Sequence, residues 1–248
     1  MKILKWKISS KTQSYFQQVK EKIDKPLKIK YIDENSSYSN FRATGGYNPS
    51  SSHALLQINR NLELPKEQFG ALIAHELTHI LFTYKGFWQI NEANTLIHGP
   101  LIIALQDPPT NQTIEKHGFN YEPLFKEEAL EVLKHVKNRT YSTNHTNKNE
   151  RFLLYVLKII LQEYCPTIQH EIKNKLSRNS FSFYYKIMKF YDYISDFTLT
   201  KPNHYNHCLV WMKSKLESDV DILFINNKGK KISKSKLDFI LSIDNNCK

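Results

Sequence analysis

The sequence predicts an α+β protein with a small N-terminal sheet, one long apolar helix and a mainly helical remainder. Three observations carry that expectation. Two short strand-like stretches, Leu27–Ile32 and Ala54–Asn59, fall early in the chain. An uninterrupted helical period follows over 65–84, and helical patterns then dominate from residue 91 onward. With 248 residues, 40% of them apolar and only 7 glycines, the chain can bury a sizeable core. The expected organisation is an N-terminal α/β lobe over 1–90 and a mainly helical lobe over 91–248, with a cleft between them.

Each element has a local reason. Between Lys11 and Asp24, Tyr15, Phe16, Val19 and Ile23 recur at a helical period, and Pro26 follows the expected end. Leu27, Ile29 and Tyr31 alternate with lysines as a strand does, before a polar loop from Asp33 through Gly45-Gly46 to Ser52. Ala54–Asn59 reads as the second strand. Pro65 then opens a helix with Phe69, Leu72, Ile73, Leu77, Ile80, Leu81 and Tyr84 along it, closed by Lys85-Gly86. Asn91 is positioned to cap another helix running through Leu96, Leu101 and Leu105, kinked at Pro100 and stopped by Asp107-Pro108-Pro109. Further helices are expected at Pro123–Asn138, Glu150–Tyr164, Thr167–Leu176, Phe181–Ser195 and Tyr205–Glu217. Val220–Ile225 alternates as a late strand, Asn226–Lys231 forms a basic turn, and Lys234–Ile243 closes with a helix. The aromatic run Phe181, Phe183, Tyr184, Tyr185, Phe190, Tyr191, Tyr193 has helical spacing and predicts core packing.

The charge narrows the function classes. Lys and Arg total 35 against 24 acids, a formal +11, but 30 of the 35 are lysine. Readers of nucleic-acid sequence rely on the planar arginine fork, so this balance reads as a solvated lysine surface, and no nucleic-acid partner is expected. The positive excess leaves room for acidic partners or substrates. Three cysteines, Cys165, Cys208 and Cys247, without paired spacing argue against a disulfide framework. No apolar run reaches a membrane span, and lysines interrupt the opening residues where a signal peptide would be apolar. A cytoplasmic location is the expectation, with release by a non-classical route left open.

One motif carries chemistry. His75-Glu76-Leu77-Thr78-His79, an HExxH, lies in the middle of the long apolar helix. Residues four apart stand on one helical face, so both imidazoles reach a single ion while Glu76, one step round, can hold a water beside it. Zinc lowers the pKa of such a water, and the adjacent carboxylate can take its proton and pass it to a leaving amine. With 10 His and 15 Glu in the chain, random order produces the motif in roughly 2% of such sequences. The uncharged flanks Leu72-Ile73-Ala74 and Ile80-Leu81 suit a buried metal helix.

On these residues, and on the order of strand Ala54–Ile58 before helix Pro65–Tyr84, the chain resembles the zincin metallopeptidases. The resemblance implies that the preceding strand is the edge of the sheet and pairs with extended substrate. It also implies a third protein ligand. The metzincin continuation of Gly and His is replaced by Phe82 and Lys85, which excludes that subgroup. Asn91-Glu92-Ala93-Asn94 looks like the start of the gluzincin ligand helix, as in thermolysin, and like the Glu-Ala-Asn segment of short peptidases related to phage-repressor cleavage factors. Twelve residues separate His79 from Glu92, and Leu96 stands where thermolysin-like enzymes carry an acid. Glu92 competes with Glu115, Glu122, Glu127, Glu128, Glu131, His98 and His117, and the short return after Gly86 favours Glu92.

The expected activity is therefore peptide-bond hydrolysis with one Zn2+ per chain, held by His75, His79 and Glu92, with Glu76 as general base and a peptide or protein as substrate. The rival is a non-catalytic zincin-like module that binds a peptide or ligand in a regulatory role; Glu76 discriminates against it, since two structural ligands need no base between them. Oxyanion donors are sought among His117, Tyr121, His204 and Tyr205. The cluster His204-x-x-His207-Cys208 reads as surface and core residues rather than as a second metal site.

Overall fold

The computed structural model describes residues 2–35, 41–91, 98–138, 146–162, 164–216 and 223–246. The protein is α+β with small sheets and mostly helical. It divides into two compact units, and the division is not a single cut. The first unit is Met1–Trp88 with Thr110–Tyr121 and Asn226–Lys230; the second is Gln89–Pro109, Glu122–Ile225 and Lys231–Lys248.

The first unit opens with a small antiparallel pair, β1 (Lys2–Ile3) and β2 (Trp6–Lys7), which no alternation in the sequence had signalled. Helix α1 (Ser10–Lys22) starts where the Ser9 side chain accepts from the Thr12 backbone N–H, a side-chain cap for one of the orphan donors at the helix start. Strands β3 (Leu27–Tyr31), β4 (Ala43–Gly46) and β5 (Ala54–Ile58) form a sheet in the order β3-β5-β4, with β5 parallel to β3 and antiparallel to β4. The expected edge strand Ala54–Asn59 is thus the central strand, with a neighbour on each side. Its alternation is that of a buried strand: Ala54, Leu56 and Ile58 are wholly inaccessible to solvent. Paired on both sides, β5 has no free edge to offer an extended substrate, contrary to what the resemblance implied, and β4, which reads as polar loop in the sequence, is an edge of the sheet. Its pair of glycines masked it, because Gly has no side chain to signal alternation.

Helix α2 (Lys66–Tyr84) packs across this sheet and buries Phe69, Leu72, Ile73, Leu77, Ile80 and Leu81, the residues whose period predicted it. It ends at Lys85, and Gly86 follows with φ 106°, the left-handed turn that a C-terminal glycine supplies at least cost. At Gly70 the helix meets α1 closely: a Cβ there would lie 2.6 Å from Thr12 Oγ1. The turn Asn226–Lys230 closes on itself through Asn226 N–H to Lys230 O and donates from Asn227 Nδ2 to Tyr84 O at the end of α2.

In the second unit β6 (Gln89–Asn91) and β7 (Leu223–Ile225) pair antiparallel. Helix α3 (His98–Lys116) follows, then α4 (Glu122–Lys137), α5 (Thr146–Leu161), α6 (Pro166–Asn179), α7 (Phe181–Ser195), α8 (Pro202–Lys215) and α9 (Lys234–Asn246). The later helices match their sequence patterns within a few residues. α3 departs from expectation. It runs straight through Asp107-Pro108-Pro109, where a stop was expected, and continues to Lys116. A proline inside a helix costs roughly 3 kcal/mol through its missing N–H and its ring. Burial on both sides offsets that penalty, since Leu101, Ala104, Leu105 and Ile114 are fully enclosed. The aromatic run of α7 also divides differently from expectation: Ile187, Phe190 and Ile194 are buried, while Phe181 and Tyr185 stack on each other in solvent. Among the described residues no helix is long and apolar enough to cross a membrane.

Candidate metal centre

The motif follows the fully buried stretch 69–74 of α2. His75 is buried, His79 and Glu76 are partly so, and Thr78 is fully enclosed. On the side facing α1, Thr78 Oγ1 donates to Ala74 O at 2.8 Å, which leaves the Tyr15 hydroxyl to donate to Thr78 Oγ1 at 2.7 Å. That chain of hydrogen bonds pins the motif turn to its neighbouring helix. Burial pushes the Tyr15 phenol up from its ordinary pKa, with the Thr78 bond acting against it, so the donor keeps its proton.

The two imidazoles converge. His75 Nε2 and His79 Nε2 stand 2.9 Å apart with their rings edge to face. His75 Nδ1 lies 2.7 Å from Asn111 Oδ1. A carbonyl oxygen only accepts, so Nδ1 carries the proton and the Nε2 lone pair of His75 is directed toward His79. This is the arrangement in which an outer partner fixes the tautomer of a metal-binding histidine. Tyr121 lies face to face on the His75 ring, 4.6 Å away and nearly parallel, and restricts its rotation.

Glu76 points to the sheet. Its Oε2 accepts from the Gly45 backbone N–H of β4 at 2.7 Å, and the strand comes close enough that a Cβ at Gly45 would lie 2.1 Å from the Glu76 carbonyl oxygen. Only glycine allows that approach. The Glu76 carboxylate is therefore held by the backbone of an edge strand.

A carboxylate completes the group. His75, His79 and Asp107 offer ligand atoms that all lie within 4.8 Å of one another, and the group is largely buried. Asp107 stands about one helical turn before Asn111, the residue that orients His75, on the same helix α3. Two imidazole nitrogens and a carboxylate oxygen form a donor set suited to zinc. Two nitrogens bound to one tetrahedral ion at 2.0–2.1 Å stand about 3.3 Å apart, so the 2.9 Å spacing needs to open by only a few tenths of an ångström. The residues present fit a metal ion.

Among the described residues, none of the other expected ligands joins this group. Glu92 lies outside the described residues, as does the side chain of His98. Glu115, Glu122 and Glu127 are exposed, Glu131 pairs with Lys134 and His135 on the surface, and Glu128 holds Lys158. His117 packs against Tyr15, and burial, with the charge of Lys22 second, pulls its imidazole below the usual range. His204 accepts from the Thr198 N–H, His207 Nε2 meets Tyr193 Oη at 2.7 Å and Cys208 is sealed in the core, so these three do not assemble a second ion site. Of the candidate oxyanion donors, Tyr121 touches a motif residue, whereas Tyr205 is fully buried in the second unit, with burial and then the Asp107 charge pushing its hydroxyl far up.

Sequence reasoning missed Asp107 because it sat in an apparent stop signal. The available signal was the pair Asp107 and Asn111, four apart and so on one helical face if the helix continues through the two prolines. In comparisons with protein-family models, curated proteins and solved structures, the chain matches none of them.

Proposed function

We propose that the protein is a zinc-dependent peptidase of zincin type, with His75, His79 and Asp107 as metal ligands and Glu76 as general base. The observation that supports this most strongly is the convergence of two imidazole nitrogens on one carboxylate, with the outer nitrogen of His75 tied to Asn111. Asp107 here takes the place that resemblance assigned to Glu92.

A zinc ion at this centre supplies a Lewis acid and a water of near-neutral pKa. The chain's own residues do the rest. Asn111 holds His75 in the tautomer whose Nε2 can donate an electron pair, and Tyr121 keeps the ring from turning. The Gly45 N–H fixes one oxygen of Glu76. From that position the carboxylate takes a proton from the attacking water and returns it to the leaving amine, which releases the two peptide fragments. A chain carrying +11 draws acidic peptides toward its surface more readily than basic ones.

The test is paired. Zinc content and hydrolysis of a peptide library are measured for the wild type and for Glu76→Gln. Hydrolysis by the wild type alone, with zinc equal in both, supports the proposal. Zinc without hydrolysis in either protein across the library would favour the non-catalytic binding module.

A further inference from the structure

Asp107 is gripped from behind. Lys158 on α5 donates to Asp107 Oδ2 at 2.8 Å, and both side chains are only 8% exposed. The same ammonium lies 2.7 Å from each oxygen of Glu128 on α4. Lys158 interrupts an otherwise apolar run of α5, between Leu157 and Ile159, both fully buried. A lysine enclosed this far needs partners, and here it has two carboxylates for one positive charge.

We infer that Lys158 is a positioning residue for the metal centre, and that Glu128 is its charge counterweight. The inference rests on the reading that His75, His79 and Asp107 hold a metal. A carboxylate with both oxygens available can chelate an ion through both and occupy the position that a water needs. With Oδ2 committed to the ammonium, Asp107 would offer an ion a single oxygen, and two imidazoles with one such oxygen would leave a fourth position for water. An unbalanced ammonium beside a ligand oxygen would repel the ion. Glu128 removes that cost by taking two of the short contacts of Lys158, so the trio carries a net negative charge toward the centre. A purely structural ion pair would stabilise the helices and leave the metal's coordination number and affinity untouched.

Those quantities are the readout. Zn2+ affinity is measured by competition with a chromogenic chelator, and coordination number by the visible absorption of the Co2+-loaded protein, in the wild type, Lys158→Arg, Lys158→Met and Glu128→Gln. We expect an intense four-coordinate Co2+ spectrum in the wild type and in Lys158→Arg. Lys158→Met should show the weaker bands of a higher coordination number. Glu128→Gln should bind Zn2+ about 10 to 100 times more weakly with an unchanged fold by circular dichroism. If Lys158→Met does not fold, Glu128→Gln decides alone, and a loss of affinity under about threefold overturns the inference. Folded Lys158→Met with wild-type affinity and spectrum overturns it as well. A wild-type chain that binds neither Zn2+ nor Co2+ removes the metal reading itself, an outcome distinct from binding that ignores Lys158 and Glu128.

Discussion

Helices α2 and α3 both place polar groups in buried surroundings, but they do so in opposite ways. In α2 the polar motif is set into a long apolar helix, and three of its groups have a defined hydrogen bond: Thr78 bonds back to Ala74, Glu76 takes an N–H from β4, His75 is tied to Asn111. In α3 the polar residues Gln106, Asp107, Thr110 and Asn111 are all buried around two prolines. Gln106 Nε2 and Thr110 Oγ1 have no hydrogen-bond partner among the described residues. The first helix is a good helix that carries a site. The second is a poor helix, by local propensity, that is held in place by its surroundings and carries the carboxylate. Buried polar groups need partners, and in α3 Asp107 and Asn111 find theirs on other helices, in Lys158 and His75.

That contrast can be broken at each end. The largest effect is expected in α2: with Glu76 as the proposed general base, Glu76→Gln should lower the rate of the proposed peptide hydrolysis by about 10² to 10⁴ while zinc stays bound, because an amide cannot take a proton at neutral pH. Turnover at the wild-type rate would remove Glu76 from the mechanism. Next comes the link between the helices. Asn111→Leu deprives His75 Nδ1 of its acceptor and should weaken zinc binding about 10 to 100 times, with Asn111→Asp restoring most of it. Equal affinities in all three proteins would mean that the tautomer is fixed by something else. Gly45→Ala tests how tightly β4 is held to α2: the added Cβ meets the Glu76 carbonyl, so the strand must move, and a loss of about 1–3 kcal/mol of stability is expected in chemical denaturation. A variant of unchanged stability would show that the approach is looser than it looks. The smallest effect belongs to carboxylates remote from the centre. Glu115→Ala and Glu127→Ala are both at exposed positions and should leave zinc affinity unchanged and stability within about 0.5 kcal/mol.

How much of this was legible from the residues follows the same contrast. The period of Phe69, Leu72, Ile73, Leu77 and Ile80 located α2 almost to the residue, because burial of one face is written into the composition of the helix itself. His75, Glu76 and His79 were legible for the same reason: three ionisable groups at helical spacing stand out against apolar neighbours. Asp107 was not. Local rules end a helix at Asp-Pro-Pro, and the burial that overrides them comes from residues distant in the chain. β4 escaped notice because Ala43-Thr44-Gly45-Gly46 has no alternation to read, and its register is set by β5 rather than by its own side chains. The central place of β5 was likewise invisible, since a short alternating strand looks alike at an edge and in the middle of a sheet. Lys158 is the extreme case: its apolar neighbours in the sequence mark it as enclosed, but nothing local names the two distant carboxylates that hold it.

The claim on which the rest depends is that the His75, His79, Asp107 group binds one zinc ion. Elemental analysis of the purified chain, alongside His79→Ala, Asp107→Ala and Glu92→Ala, addresses it directly. The account predicts about one zinc per chain in the wild type and in Glu92→Ala, and almost none in the other two. Zinc retained by Asp107→Ala and lost by Glu92→Ala would return the third ligand to Glu92, and a wild-type chain free of zinc after purification and resaturation would contradict the metal centre altogether.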